Sequence, residues 1–211
     1  APILLALLIN EIRKSSFKRC VQTVSYLPHF ISMVVICSMI QKFTMDDGII
    51  NDLIAFFGGQ RTNLLNSPSC FVPIYVISDI WTGIGWGSII YLAALSGISS
   101  ELYEAAEIDG AGRFKQLLNV TLPGIMPTII IMFVLRMGNV LSVGYEKIIL
   151  LYNPMTKKVA DVISSYVYEK GILDQSWSFS TAVGLFNSAI NFAFLIMTNQ
   201  MSRKLSDSSL W

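Results

Sequence analysis

Glu104-Ala105-Ala106-Glu107-Ile108-Asp109-Gly110-Ala111-Gly112-Arg113-Phe114-Lys115-Gln116-Leu117-Leu118-Asn119-Val120-Thr121-Leu122-Pro123 is a polar stretch set between two long apolar ones. Gly97 closes the apolar run before it, and Ser100 is placed to cap a helix whose first turn carries the acidic Glu101. That helix should run from Glu101 to about Ile108, where Asp109-Gly110 turns the chain. A second short helix is expected over Phe114 to Val120. It should end before Pro123, which disfavours helical geometry at Leu122. The product is a helix–turn–helix elbow. Ala105 and Ala106 are small enough to let another protein approach the backbone, and Glu104 offers a hydrogen-bond acceptor. Gly110 permits a bend that a Cβ would resist, and Leu117, Leu118 and Leu122 are placed to anchor the elbow. An ordinary solvated loop with a capped helix has the same local chemistry.

The flanking runs decide between those readings. The chain has 211 residues, of which 53% are hydrophobic and 14% charged, whereas soluble domains carry about 25% charged residues. Mean hydropathy is +0.58. Too few charges exist to cover a soluble surface, so the chain reads as membrane-embedded. Beyond the partial run Ile3 to Ile9, which reads as the tail of a truncated transmembrane helix, four segments approach or reach the ~20 residues of a span. These are about Val24 to Ile40 (interrupted by Pro28 and His29), Pro73 to Leu95, about Gly124 to Val143, and Ser180 to Met201. In lipid each satisfies its backbone only as a helix.

Alternating the spans groups Arg13, Lys14, Lys18, Arg19, Arg113, Lys115, Arg203 and Lys204 on one side, in short juxtamembrane segments. Lys42, Arg61, Lys147, Lys157, Lys158 and Lys170 fall on the other. The positive-inside rule then makes the elbow and the C-terminus cytoplasmic. Loops 43–72 and 146–179 lie outside. Ile49, Ile50, Leu53, Ile54 and Phe57 in the first have helical spacing. So do Val159, Ile163, Tyr166, Val167 and Lys170 in the second, closed by Gly171 as a C-cap. Both read as short amphipathic helices on the membrane face or under a partner.

A net charge of +1 argues against a nucleic-acid partner. Cys20, Cys37 and Cys70 form neither a metal set nor a disulfide framework. No Gly-x4-Gly-Lys-Ser/Thr loop, HExxH or Ser/His/Asp set occurs, so no catalytic residue, metal site or resident cofactor is expected. Without a phosphate-binding loop the chain is not expected to hydrolyse ATP itself.

Polar groups inside the spans are the candidate solute path. Arg136, about midway along the third span, costs ~2.5–3.5 kcal/mol in a bilayer and should face the bundle interior or a wet cavity. Asp79 lies in the second span, a candidate partner for Arg136 although roughly 9 Å away along the membrane normal. Asn187 and Asn191 share one helix face. Asn139 adds an amide, and Trp86, with Trp81, Tyr91 and Tyr145, offers flat rings. Amides and aromatic faces suit sugars, but each residue also has a structural reading as helix glue or interface anchor. His29, the single histidine, reads as a helix-end residue rather than a proton carrier.

Glu104-Ala105-Ala106, Gly110 and Val120-Thr121-Leu122-Pro123 resemble the EAA motif of type I ABC importer permeases, with Val where Ile is commoner. Several further segments resemble the maltose-type, LplB-like branch that imports oligosaccharides. They are Leu27-Pro28-His29-Phe30-Ile31, Arg136-Met137-Gly138-Asn139, Gly144-Tyr145-Glu146-Lys147, Asn153-Pro154 and Ala182 through Asn191. The resemblance covers essentially the whole chain and implies an all-α, polytopic membrane helical bundle (MetI-like). Residues 1–204 would be the permease domain, with a coupling loop at 99–123 and a cytoplasmic tail at 205–211. It also implies a multi-pass protein of the bacterial cell membrane whose coupling loop, through Glu104, Ala105, Ala106, Gly110, Leu122 and Pro123, docks on an ABC ATPase. The implied partners are a second homologous permease, two ATPase subunits and an extracellular solute-binding lipoprotein, with a sugar as substrate. The competing expectations are a permease for amino acids or phosphate, an ion-coupled secondary transporter, and a scaffold without transport.

Overall fold

The structure, a computed structural model, describes residues 1–205. All regular structure among these residues is helical. In chain order the α-helices are α1 (Pro2–Asn10), α2 (Ser15–Tyr26), α3 (Met33–Thr44), α4 (Ile49–Phe56), α5 (Pro68–Ser96), α6 (Ser100–Ile108), α7 (Arg113–Gln116), α8 (Leu122–Met137), α9 (Tyr145–Leu151), α10 (Lys157–Ala160), α11 (Ile163–Tyr168) and α12 (Trp177–Leu205). A π-helical turn, Leu117–Thr121, joins α7 to α8, and another, Glu169–Leu173, prolongs α11. The expected tail lies outside the described residues apart from Leu205, which ends α12.

Among the described residues three stretches are long and apolar enough to cross a membrane: Pro68–Ser96, Arg113–Met137 and Trp177–Lys204. The expected span 24–40 is broken instead. Pro28 lies in the 3-10 turn Leu27–Phe30, and α3 starts afresh behind an extended Ser32, so the fourth candidate is the pair Ser15–Phe30 and Met33–Phe56. Pro28 donates no backbone N–H and its ring crowds the carbonyl four residues back, so α2 gives way to the 3-10 turn although Leu27 before it stays helical (φ −53, ψ −44). The third span begins near Arg113 and stops at Met137, earlier at both ends than the hydropathy suggests.

The chain packs as two compact units. One comprises Ala1–His29, Gly83–Val140 and the described residues from Ile190 on; the other comprises Phe30–Thr82 and Leu141–Ala189. In the first, Ala6, Tyr91, Leu95 and Ile125 form a core flanked by Ile3, Leu7, Ile98 and Ile129. Here α5 approaches α2 so closely that a Cβ on Gly85 would stand 2.0 Å from the Ser25 carbonyl oxygen, so no larger residue fits.

In the second unit Ile36, Cys37 and Ile40 of α3 pack with Phe71, Ile148 and Leu151. Two asparagines hold its loops. Asn51 is fully buried; its Nδ2 donates to the carbonyls of Met45 (2.7 Å), Thr62 (2.8 Å) and Thr44 (3.3 Å), and its Oδ1 accepts from the Thr62 N–H (3.1 Å). Asn153 donates to the Leu65 carbonyl and to Asn66 Oδ1, both at 2.9 Å. The helix predicted to run from Val159 to a cap at Gly171 is split. Asp161 is extended, with ψ 133, and its carboxylate accepts from the Ser165 hydroxyl. Gly171 lies inside the π turn, where a Cβ would meet Ser180 Oγ at 2.7 Å, so close approach and not capping reserves the position for glycine.

Lys157 Nζ donates to both Glu169 oxygens, at 2.6 and 2.8 Å, and Tyr152 OH adds a bond at 3.0 Å. The Lys157 bond holds the Glu169 carboxyl below its ordinary range, and the same bond raises Lys157. A lowered carboxylate stabilises above its unfolded pKa and loses that contribution as pH falls through the folded value; a raised lysine stabilises below its unfolded pKa and loses that as pH rises through the folded value. The protection of amides across 157–169, taken against the intrinsic exchange rate at each pH, is therefore expected to be constant around neutrality and to fall on acidification and at strongly alkaline pH. In a Glu169→Gln variant the acid limb should vanish.

Candidate functional site

The elbow lies within the first unit. Its cap is Ser99 rather than Ser100: Ser99 is extended (ψ 136) and its side chain accepts from the Glu101 N–H at 3.3 Å, while Ser100 is already helical. At the far end of α6, Ala111 N–H donates to the Ala106 carbonyl (2.8 Å) and Gly110 N–H to that of Glu107 (3.0 Å). This pair is a Schellman motif, which needs a left-handed residue after the cap. Gly110 supplies it with φ 76, and no atom lies within 4 Å of where its Cβ would stand. Conformation, not space, requires glycine here.

The return arm differs from expectation. Leu122 is helical (φ −65, ψ −46), and α8 runs straight through Pro123. The π turn explains this. Leu122 N–H bonds to the Leu117 carbonyl, five residues back, so the ladder is already loosened where the proline ring must fit. Leu118 is 47% exposed, whereas Leu117 and Leu122 are half-buried. The arms are joined by Tyr103 OH and Thr121 Oγ1 at 3.0 Å, with Thr121 buried. Tyr103→Phe removes one hydrogen bond, worth about 1 kcal/mol, so amide exchange across α6 should quicken about fivefold.

Glu104 and Ala105 are exposed and Ala106 half-buried. Beside them stand Ile108 (87% exposed) and Phe114 (72%), apolar knobs that the sequence reading passed over. The available signal was an isoleucine directly before a polar turn, where a solvated helix end has no use for one.

The six path candidates divide between the units. Trp86, Arg136, Asn139 and Asn191 belong to the first, and Asp79 and Asn187 to the second. Trp86 stacks on His29, ring centroids 4.5 Å apart and 6° from parallel. Arg136 is exposed and lies in the last turn of α8 instead of midway along a span, where a cation complements the helix dipole. Asn139 lies beyond that helix and donates back to the Leu135 carbonyl at 3.1 Å. Asn191 is buried.

The cation beside Asp79 is Lys147, not Arg136. Lys147 is buried on α9; its Nζ reaches Asp79 Oδ1 at 3.4 Å and the Tyr75 carbonyl at 3.1 Å, and it stands 4.5 Å over the Tyr75 ring. Tyr75 and Asp79 are one turn apart on α5, so both face the helix that carries the lysine. Burial pushes the Lys147 pKa down, and Asp79 pulls it back up. The sequence reading placed Lys147 in an outer loop, where a lysine needs no partner.

A family model described as binding-protein-dependent transport system inner membrane component matches residues 1–207. The chain is 42% identical over 211 residues to the polygalacturonan/rhamnogalacturonan transport system permease protein YteP of Bacillus subtilis, covering all of this chain and 66% of that one. It is likewise 42% identical over 212 residues to Protein LplB of the same organism, covering all of this chain and 67% of that one. The chain thus spans about two thirds of the length of these curated relatives. A solved bacterial alginate ABC transporter, in complex with an alginate pentasaccharide-bound periplasmic protein, contains a chain that superposes with a TM-score of 0.95 at 42% identity, over 99% of this chain and 73% of that one.

Proposed function

Because the chain belongs to the family of binding-protein-dependent transport system inner membrane components, we propose that it is one of two homologous permease subunits of an ATP-driven importer for an oligosaccharide. The observation that carries the sugar reading is the 42% identity, along the whole chain, to a permease named for polygalacturonan and rhamnogalacturonan. An acidic saccharide is the substrate class that relative and the alginate transporter point toward.

In this reading the elbow and the C-terminus face the cytoplasm of a bacterial cell, and loops 43–72 and 146–179 meet a solute-binding lipoprotein outside. Two ATPase subunits bind ATP and Mg, and one docks on the elbow through Glu104, Ala105, Ala106 and Gly110, with Ile108 and Phe114 as apolar contacts. Nucleotide-driven closure pulls on α6. The Tyr103–Thr121 bond passes that motion to the π turn and so to Leu122, Pro123 and α8. Asp79, Trp86, Arg136, Asn139, Asn187 and Asn191 are offered as path-lining groups. Only 6% of the α12 spanning window is buried, which fits a helix covered by lipid and by a second permease chain. The permease itself performs no bond chemistry.

The test is uptake into proteoliposomes holding the permease pair, the ATPase and the binding protein. Tetragalacturonate, maltotetraose and a mixture of amino acids serve as probes. ATP-dependent entry of a saccharide is expected. Entry of amino acids alone would refute the sugar reading, and ATP-independent entry would refute the importer.

A further inference from the structure

After α11 the chain widens into the π turn Glu169–Leu173, then passes Gln175 at φ 56 before α12 begins at Trp177. Gln175 is the one non-glycine residue with positive φ among the described residues. A π turn and a left-handed glutamine are each locally unfavourable, and such departures gather where a ligand is handled. Gly171 and Ile172 of the π turn line a cavity of about 360 Å³ within the second unit, a size in the range of small-ligand sites.

Asn187, which lines this cavity, has its Oδ1 shielded from solvent with no hydrogen-bond partner. The hydroxyls around it are already committed: Ser180 donates to the Val167 carbonyl (3.1 Å), Thr181 to that of Trp177 (2.8 Å), and Ser164 to that of Val143. None of them offers Asn187 a proton. Flat surfaces line the same cavity. Tyr145 and Tyr168 stack with centroids 5.2 Å apart, and Trp177 is 62% exposed. No charged side chain lines the space.

A buried acceptor is costly until something donates to it. The occupant must therefore bring a hydroxyl or N–H donor, present an apolar face to aromatic rings, and carry no charge at the point of contact. An acyl chain has no donor. A sugar ring has both the hydroxyls and the C–H face. We propose that this cavity is a subsite for one ring of the transported saccharide, with the Asn187 amide turning into the cavity so that a sugar hydroxyl donates to its Oδ1 and the ring face lies against Tyr168 and Trp177. On an acidic saccharide, the carboxylate of that unit points out of the cavity. The inference rests on the sugar-permease reading above.

The experiment uses the complete transporter in nanodiscs, titrated with tetragalacturonate and with maltotetraose. Emission is read as the difference between the intact protein and Trp177→Phe. A saturable change is expected for the saccharide that is imported, and Asn187→Ala should raise its half-saturation about tenfold, one full hydrogen bond. Asn187→Ser, a small polar variant, should fall between, and thermal midpoints would confirm that both variants fold. Agreement of Asn187→Ala with the parent to within about twofold would overturn the subsite. So would the absence of any Trp177 response to an imported saccharide. Quenching of Trp177 by brominated acyl lipid that neither saccharide relieves would make the cavity a lipid groove. Uptake into proteoliposomes separates the two failures: import with identical titrations removes the subsite alone, whereas no saccharide import removes the transport reading and the subsite with it.

Discussion

Gly110→Val is expected to lower ATP-driven uptake about tenfold or more, with the protein still inserted and abundant in the membrane. At φ 76 the residue occupies left-handed space, and the two bonds that close α6 depend on it. A left-handed L-residue costs roughly 1–2 kcal/mol, and a β-branched one more, so α6 would re-end in a different register. The lever proposed to meet the ATPase would then be aimed wrongly while the spans stay intact. Because no atom lies within 4 Å of the missing Cβ, the graded series is informative. Asparagine tolerates this conformation and should retain most uptake, with alanine between asparagine and valine. Asparagine as damaging as valine would show that the position is reserved for a partner's close approach instead. Uptake and ATPase stimulation in proteoliposomes measure both.

Asn51→Leu is expected to cost about 3–5 kcal/mol of local stability, because each buried polar group left without a partner costs roughly 1–3 kcal/mol. The substitution is close in size and raises hydrophobicity, so a hydropathy argument predicts the reverse. Yet the amide serves the Thr44, Met45 and Thr62 carbonyls and the Thr62 N–H. Without it the segment from Thr44 to Thr62 has lost its central tie. Proteolysis and amide exchange confined to that segment should rise about a hundredfold or more, and a binding protein that docks there should lose affinity. Asn51→Asp tests the donors alone, since it keeps the acceptor.

Family membership and an all-helical, multiply spanning architecture were both legible in the residues. Long apolar runs have few alternatives in lipid, and a glycine after Asp109 has few uses other than ending a helix. What the residues concealed has physical causes. Pro123 signals a stop only if the helix before it keeps α-type bonding, and a π turn removes that condition. Arg136 looked central because the apolar composition continues to Val143, but hydropathy does not report where backbone bonding ends. In α4 most of the periodic apolar set points outward, with Ile49 59% and Leu53 58% exposed, while the asparagine faces in. Periodicity finds a face; it does not say whether core, lipid or a partner covers it. Asp79 found Lys147, 68 positions away, and no local pattern encodes such a meeting.

The π turn at Leu117–Thr121 holds one residue more than an α-helix of the same span would. Excising that surplus residue would mend the bonding ladder while winding every later side chain of α8 by about 100° around its axis. The azimuth of the third span is thus written upstream of the span itself, and a one-residue deletion there would leave its composition untouched while turning a different stripe toward its neighbours.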